Sequence, residues 1–353
     1  MHEVISAITT GQGSTFEELT EQTTPLAVEI THYTKPSSMT SSSSRGVGLY
    51  FECAVLVVGV VGMASNALVL YAMVASKQHK KQVLIFNQNL LDVVSCFLLS
   101  AMYVAILCDI NLTGRGGYWL CLMLLSGGNW WGPYMGSVIN LSAITIERYL
   151  KVVHPVCAKK KLRNWMIYMT IVFAWVGGSA ASVAVNSSTT NVVNGKCLPR
   201  TFWASQASRT AFGLWYILSF YVIILLIFIF CYWRILVVIR RQASVMASYS
   251  AAGPVSVPNH LKQIQINIVK TMLLVSVLFA ITLAPASTYA FLNNVYNVRP
   301  GINVLYAVHF SGFLYIVINP FIYATKFDPV RCILKRLIPC NKTTEYTESI
   351  EMN

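Results

Sequence analysis

Seven stretches of this chain carry almost no charge: Tyr50–Val74, Val83–Leu107, Trp119–Ile146, Trp165–Val185, Thr210–Trp233, Thr271–Val298 and Gly301–Thr325. The last five contain no Asp, Glu, Lys or Arg; the first holds only Glu52 and the second only Asp92. A helix crossing about 30 Å of hydrocarbon needs roughly 20 apolar residues. Seven such stretches predict an all-α membrane protein, a seven-transmembrane helix bundle with its termini on opposite sides. The composition agrees, at 55% hydrophobic and 11% charged residues, where a soluble chain carries about a quarter charged. Such a chain lacks the polar surface to cover itself in water.

The net charge of +13 invites a nucleic-acid reading. The distribution excludes it, because the basic residues flank the apolar stretches and form no stripe. With Arg148 left out of both counts, the loops after spans one, three, five and seven, with the C-terminal tail, hold eighteen Lys and Arg; the opposite side holds seven. The more basic side faces the cytosol. This expectation puts the N-terminus outside, the C-terminus in the cytosol and the chain in the plasma membrane. Asn111-Leu-Thr113 and Asn186-Ser-Ser188 then fall in extracellular loops as glycosylation sites, whereas Asn341-Lys-Thr343 lies inside.

Residues 1–47 are Ser/Thr-rich, with Glu3, Glu17, Glu18, Glu21 and Glu29. They cannot bury a core and are expected to be a disordered extracellular tail. They also contain no apolar run long enough for a cleavable signal, so the first span is expected to act as its own export signal. Residues 48–326 form the seven-helix bundle. In 327–340, Phe327, Val330, Ile333, Leu334, Leu337 and Ile338 recur at helical spacing around Arg331, Lys335 and Arg336. This is the pattern of a basic amphipathic helix on the inner leaflet. Cys340 follows it as a palmitoylation candidate, and 341–353 is a cytosolic tail. The Ser/Ala/Pro-rich run from about Gln242 to Pro258 reads as a flexible loop.

Several constellations sit at meaningful depths. Asp92 is the one acid deep in the hydrocarbon, where such residues are costly and mark function. It is either a cation or protonation site, or a carboxyl held by Asn66 and Asn319. Glu147-Arg148 adjoin the end of span three, as an interfacial anchor or as a latch that frees Arg148 in a second state. Pro285 and Pro320 each remove a backbone hydrogen bond and kink spans six and seven. Of the nine cysteines, Cys108, Cys121 and Cys197 lie on the oxidising side. A Cys121–Cys197 bridge would pin the loop after span four over the bundle mouth. Cys108 is then either free or a competitor for the same partner.

Taken in order, these residues resemble the rhodopsin-like (class A) G-protein-coupled receptors over nearly all of Tyr50–Cys340. Asn66 resembles the family's Asn of span one, and Asn87-Gln-Asn-Leu-Leu-Asp92 its span two. Cys121, Ser137 and Glu147-Arg148-Tyr149 match span three, with Glu in place of the commoner Asp. Trp175 matches span four, Cys197 the loop cysteine, Tyr232 span five, Phe279 and Pro285 span six, and Asn319-Pro320-Phe321-Ile322-Tyr323 span seven. The resemblance implies a polar core of Asn66, Asp92 and Ser137. It also implies an activation switch of Glu147, Arg148, Tyr149, Tyr232, Pro285, Asn319, Pro320 and Tyr323.

The departures from the pattern are informative. Leu283 stands where the family usually has Trp, and Ile224 sits near the usual span-five Pro. Tyr315 replaces an Asn that often helps bind sodium, so at most a weak Na+ site near Asp92 is expected. Gln265 stands where many members place an acid facing Arg148. Glu147 is then left as the latch, and raised basal activity follows as an expectation. The retinal-linking Lys of opsins would fall at Phe313 and the amine-anchoring Asp of monoamine receptors at Trp130, so neither ligand class is implied. The aromatics Tyr103, Trp130, Trp131, Tyr134, Tyr289 and Phe313, with His309, either pack helices or line a ligand pocket. Lys196, Arg200, Arg209 and Arg299 at the mouth suit a peptide or a partly anionic ligand.

The expected function is a cell-surface receptor coupling an unidentified extracellular ligand to a heterotrimeric G protein. Basic inner loops would attract acidic partner surfaces and anionic lipid. Thr343, Thr344, Thr347 and Ser349 offer phosphosites for a receptor kinase and arrestin. The alternative is a seven-helix binding or scavenger receptor that does not couple. No paired repeats suggest a transporter, and the spans offer only Asp92 and His309 for a metal hydrolase. Neither catalysis, a metal nor a cofactor is expected.

Overall fold

The computed structural model of the chain describes residues 42–250, 259–326 and 328–337. The spans are Ser42–Ala75, Val83–Leu107, Gly128–Val153, Asn164–Thr189, Gln206–Ile217 running through Leu218–Val222 into Ile223–Ser250, Asn259–Tyr296 and Ile302–Lys326. A hairpin, Asn191–Val193 paired antiparallel with Lys196–Leu198, lies between spans four and five. Six of these helices are long and apolar enough to cross a membrane on composition. The third is the most polar, because protein surrounds it instead of lipid. Sixteen of its 26 residues are buried, against five of 26 in the fourth span.

Small residues bring the third and fourth spans together. A Cβ on Gly178 would lie 2.4 Å from the Gly132 carbonyl, and one on Gly136 would lie 2.7 Å from the Ala174 carbonyl. Close backbone approach of this kind holds helices together where hydrophobic driving force is absent. The third span also touches the second, fifth and sixth, and the seventh closes the ring against the first.

Four expectations change. The third span is not continuous from Trp119: a π-turn at Cys121–Leu125 and a break at Ser126-Gly127 precede Gly128. Gly127 has φ +77°, which favours glycine, and the Ser126 hydroxyl donates to the Leu122 carbonyl at 2.5 Å. The run after Gln242 is helical to Ser250, because the preceding helix continues through Ala243, Met246 and Ala247, all good helix formers. Residues 251–258 lie outside the described part. The first helix starts at Ser42, inside the stretch assigned to the tail. The fourth continues to Thr189 and takes in Asn186, whose amide is buried and donates to the Ser182 carbonyl at 2.8 Å. Asn186 is therefore corrected as a glycosylation site, since its nitrogen is committed within a helix.

The terminal helix forms over Asp328–Leu337. Val330 is fully buried, and Ile333 and Leu334 pack on the bundle, while Arg331 and Cys332 are exposed. Residues 1–41, Phe327, Ile338, Cys340 and 341–353 lie outside the described residues, as does the side chain of Gln265.

Candidate functional site

The fold builds three connected parts: a cavity at the disulfide end, a polar core at mid-depth and an arginine latch at the far end.

Cys121 and Cys197 are bonded, with Cα atoms 5.3 Å apart. The bond ties the π-turn to the second strand of the hairpin. Beneath the hairpin lies a cavity of about 480 Å³, within the range of small-ligand sites. All seven aromatic and histidine positions singled out in the sequence line it: Tyr103, Trp130, Trp131, Tyr134, Tyr289, His309 and Phe313. Trp130 packs edge-on against Phe313 and Tyr134, each at 5.4 Å between centroids. Tyr134 donates to the Gly312 carbonyl at 3.2 Å. His309 Nδ1 lies 2.8 Å from the Leu305 carbonyl, in its own helix. Asn111 is exposed beside the hairpin turn at Gly195.

Sequence reasoning missed Tyr216 and the partners of the two mouth arginines. Tyr216 packs at a tilt against Trp131, with ring centroids 5.5 Å apart. Arg200 sits 5.4 Å over the Trp131 ring, a cation–π arrangement. Arg209 is only 5% exposed. It reaches across to the sixth span, donating to the Asn293 carbonyl at 2.8 Å, Asn293 Oδ1 at 2.9 Å and Asn297 Oδ1 at 3.2 Å. Lys196 and Asp109 also line the cavity, whereas Arg299 does not. The lining therefore carries three cations against one carboxylate.

The floor of the cavity rests on the polar core. Tyr134 packs on Tyr315 at 5.8 Å, and Tyr315 on Phe279 at 5.5 Å. The Tyr315 hydroxyl lies 3.1 Å from Ser137 Oγ, which donates to Asp92 Oδ1 at 2.6 Å. Asn319 Nδ2 donates to Asp92 Oδ2 at 3.0 Å. Asp92 is thus satisfied by Ser137 and Asn319. Asn66 does not reach it, as expected of a holding residue, but donates to the Gly62 and Ile316 carbonyls at 2.9 and 3.0 Å. Gln88, overlooked in the sequence, donates to Ser137 and Tyr315. It accepts from Asn140 at 2.8 Å, which in turn accepts from Asn87 at 2.9 Å. Trp175 Nε1 donates to Asn87 at 2.9 Å. The signal was present as two adjacent amides, Asn87-Gln88, inside an apolar run. No group of three or more His, Cys, Asp or Glu that could hold a metal occurs among the described residues.

At the far end Arg148 is 2% exposed and Glu147 7%. Arg148 Nη2 lies 3.2 Å from Glu147 Oε2, while Lys151 bonds the other carboxylate oxygen at 2.5 Å. Glu147 is not the sole latch, because Arg148 also donates to Gln82, the residue preceding the second span. Tyr149 reaches His154 at 3.3 Å. The Tyr232 hydroxyl joins Ser276 at 3.1 Å and Thr145 at 3.3 Å, linking spans three, five and six. The Tyr323 hydroxyl is fully buried and has no hydrogen-bond partner among the described residues, a poised polar group. Pro285 and Pro320 lie within their helices, and so does Pro133 in the third. Near Pro285, the Tyr221 hydroxyl donates to the Ala280 carbonyl at 3.0 Å.

Comparison with known proteins places this architecture. Melanopsin of Felis catus is 25% identical over 300 residues, covering 81% of this chain and 60% of that protein. The chain thus spans about 60% of the length of the melanopsins it matches. The type-1 angiotensin II receptor of Ovis aries is 30% identical over 129 residues, 36% of this chain and 35% of that protein. The crystal structure of squid rhodopsin superposes with a TM-score of 0.67 at 16% identity, over 89% of this chain and 91% of that one. Residues 65–323 match the family model of the 7 transmembrane receptor (rhodopsin family), and the chain belongs to that family.

Proposed function

We propose that this multi-pass membrane protein takes an extracellular ligand in the cavity under the hairpin and passes the event to a heterotrimeric G protein at the Arg148 end. In this reading the cavity end faces outside and the Arg148 end faces the cytosol of a cell at whose plasma membrane the chain sits. One observation carries it: a track of contacts runs from the cavity into the polar core, toward the latch. Tyr134 touches Tyr315, Tyr315 touches Phe279 and Ser137, and Ser137 and Asn319 share Asp92. A shift of spans six and seven about Pro285 and Pro320 would break the seventh-span contacts on this track. It would also rearrange Tyr232 and Tyr323 and release Arg148. Two-state packed interfaces convert small shifts into such changes.

The cavity favours a peptide or partly anionic ligand, because its lining carries Lys196, Arg200 and Arg209 against Asp109. Phe313 occupies the position of the opsin lysine and Trp130 that of the amine-binding Asp, so a Schiff-base chromophore and a monoamine fit poorly. A receptor kinase and arrestin would act on the C-terminal tail, and membrane lipid would meet the terminal helix. Catalysis is no part of this reading. The test is ligand-free G-protein activation across all subtypes in transfected cells, wild type beside Arg148→Ala. Activity above mock cells that Arg148→Ala abolishes supports coupling. Silence in both, with the chain at the surface, moves the reading to a non-coupling binding receptor.

A further inference from the structure

We infer that the cavity's resident occupant is the chain's own acidic N-terminal segment, Leu26–Tyr33, which docks in cis with Glu29 on the cationic rim. The inference rests on the proposed extracellular placement of the cavity and names what fills it.

Charge complementarity is the first support. The outer side of the described residues carries Arg45, Arg115, Lys196, Arg200, Arg209 and Arg299 against only Glu52 and Asp109. The matching negative charge lies in residues 1–41, which hold five glutamates and a single lysine, Lys35. Charge complementarity of this kind selects and orients partners more than it adds affinity. A segment with one well-placed carboxylate is therefore sufficient.

The second support is chemical match. The cavity is apolar and aromatic at its floor, at Trp130, Phe313 and Tyr216, and cationic at its rim. Leu26-Ala-Val-Glu-Ile-Thr-His-Tyr33 has the same division: Leu26, Val28, Ile30 and Tyr33 are apolar or aromatic, and Glu29 is the one acid between Glu21 and Glu52. Aromatic pockets with a few placed polar groups take ligands of this kind.

Reach is the third. The first helix begins at Ser42. Its outer turn is fixed to the cavity wall, since Phe51 stacks on Tyr306 at 4.3 Å and meets the cavity-lining Tyr103 at 6.2 Å. Glu29 lies 13 residues before Ser42. An extended chain of that length spans up to about 40 Å, or roughly four helix-to-helix distances. Lys196, Arg200 and Arg209 are therefore all within its range. Tethering presents the segment at an effective concentration of order mM, so a site whose dissociation constant lies well below that is filled until the tail is cut.

The experiment uses the full chain with a protease recognition sequence inserted between Met39 and Thr40, so that the tail is cut after the receptor has reached the cell surface. The probe is a labelled synthetic peptide spanning Thr24–Lys35. The expected result is saturable binding to cut and washed receptor, and binding at least tenfold weaker to uncut receptor. A Glu29→Lys peptide should lose at least tenfold on the cut receptor, and recover on one carrying Arg200→Glu. Equal binding to cut and uncut receptor, absence of saturable binding, or an unimpaired Glu29→Lys peptide would overturn the inference and leave the cavity to a diffusible ligand. The readout is occupancy and needs no G protein, so its failure and a failure of coupling are separately visible.

Discussion

Replacing Gln82 by Ala removes the neutral acceptor that holds Arg148 against the second span. Arg148 is 2% exposed and, among the described residues, has two polar partners, the Glu147 carboxylate at 3.2 Å and the Gln82 amide oxygen. Glu147 is itself shared with Lys151, which weakens its hold. A hydrogen bond from a charged donor contributes about 1.5–3 kcal/mol. At 1.4 kcal/mol per tenfold, its loss shifts the balance between held and released Arg148 by about ten- to a hundred-fold. A resting receptor with about 1% in the released state would then rise to about 10% or beyond. We predict that Gln82→Ala raises ligand-free nucleotide exchange on the coupled G protein several-fold at matched surface density. Gln82→Glu, which turns the contact into an ion pair between opposite full charges, should lower it. Basal exchange by Gln82→Ala within experimental error of wild type, or an increase with Gln82→Glu, would refute the reasoning.

Other outcomes follow from the same geometry. Asp92 already accepts from Ser137 and Asn319, so exchanging sodium for choline at constant ionic strength should leave the thermal midpoint unchanged; a rise in sodium would contradict this. Asp92→Asn should destabilise the core by about 1–3 kcal/mol, because an amide nitrogen would face the donors Ser137 and Asn319; the thermal midpoint of purified receptor reports it. Gly178→Leu should prevent spans three and four from closing, because even a Cβ would meet the Gly132 carbonyl at 2.4 Å, and surface expression should fall sharply where Gly177→Leu is tolerated. Cys197→Ser should cost about 4 kcal/mol on the loop-entropy account of a bridge spanning 76 residues, whereas Cys108→Ser, at an exposed free thiol, should be neutral in the same melting assay.

Much of this was legible because the bilayer restricts what a sequence can do. Uncharged runs located the spans, and isolated polar groups such as Asp92, Arg148 and Asn319 located the track between them. The cavity aromatics were legible as residues, though not as a cavity. Span ends were the weak point. Hydropathy marks where the hydrocarbon stops and says nothing of where a helix stops, so Asn186 read as a loop residue and Gln242–Ser250 as a flexible one. The break at Ser126-Gly127-Gly128 was visible in composition, but its meaning depends on Ser126 bonding back to Leu122, which only the fold shows. Gln82 was missed, and Arg209 was placed at the mouth without its sixth-span partners, for a related reason. Each acts on a different span, and a single sequence does not register which helix ends meet.

The most direct measurement is the distance between spin labels at Lys80, in the turn before the second span, and Lys270, on the sixth span, in purified receptor with and without nucleotide-free G protein. The account predicts that the sixth span moves outward by several ångströms when the G protein is bound, and that Arg148→Ala abolishes the change. An unchanged distance with the G protein at saturating concentration would contradict the coupling of cavity to latch.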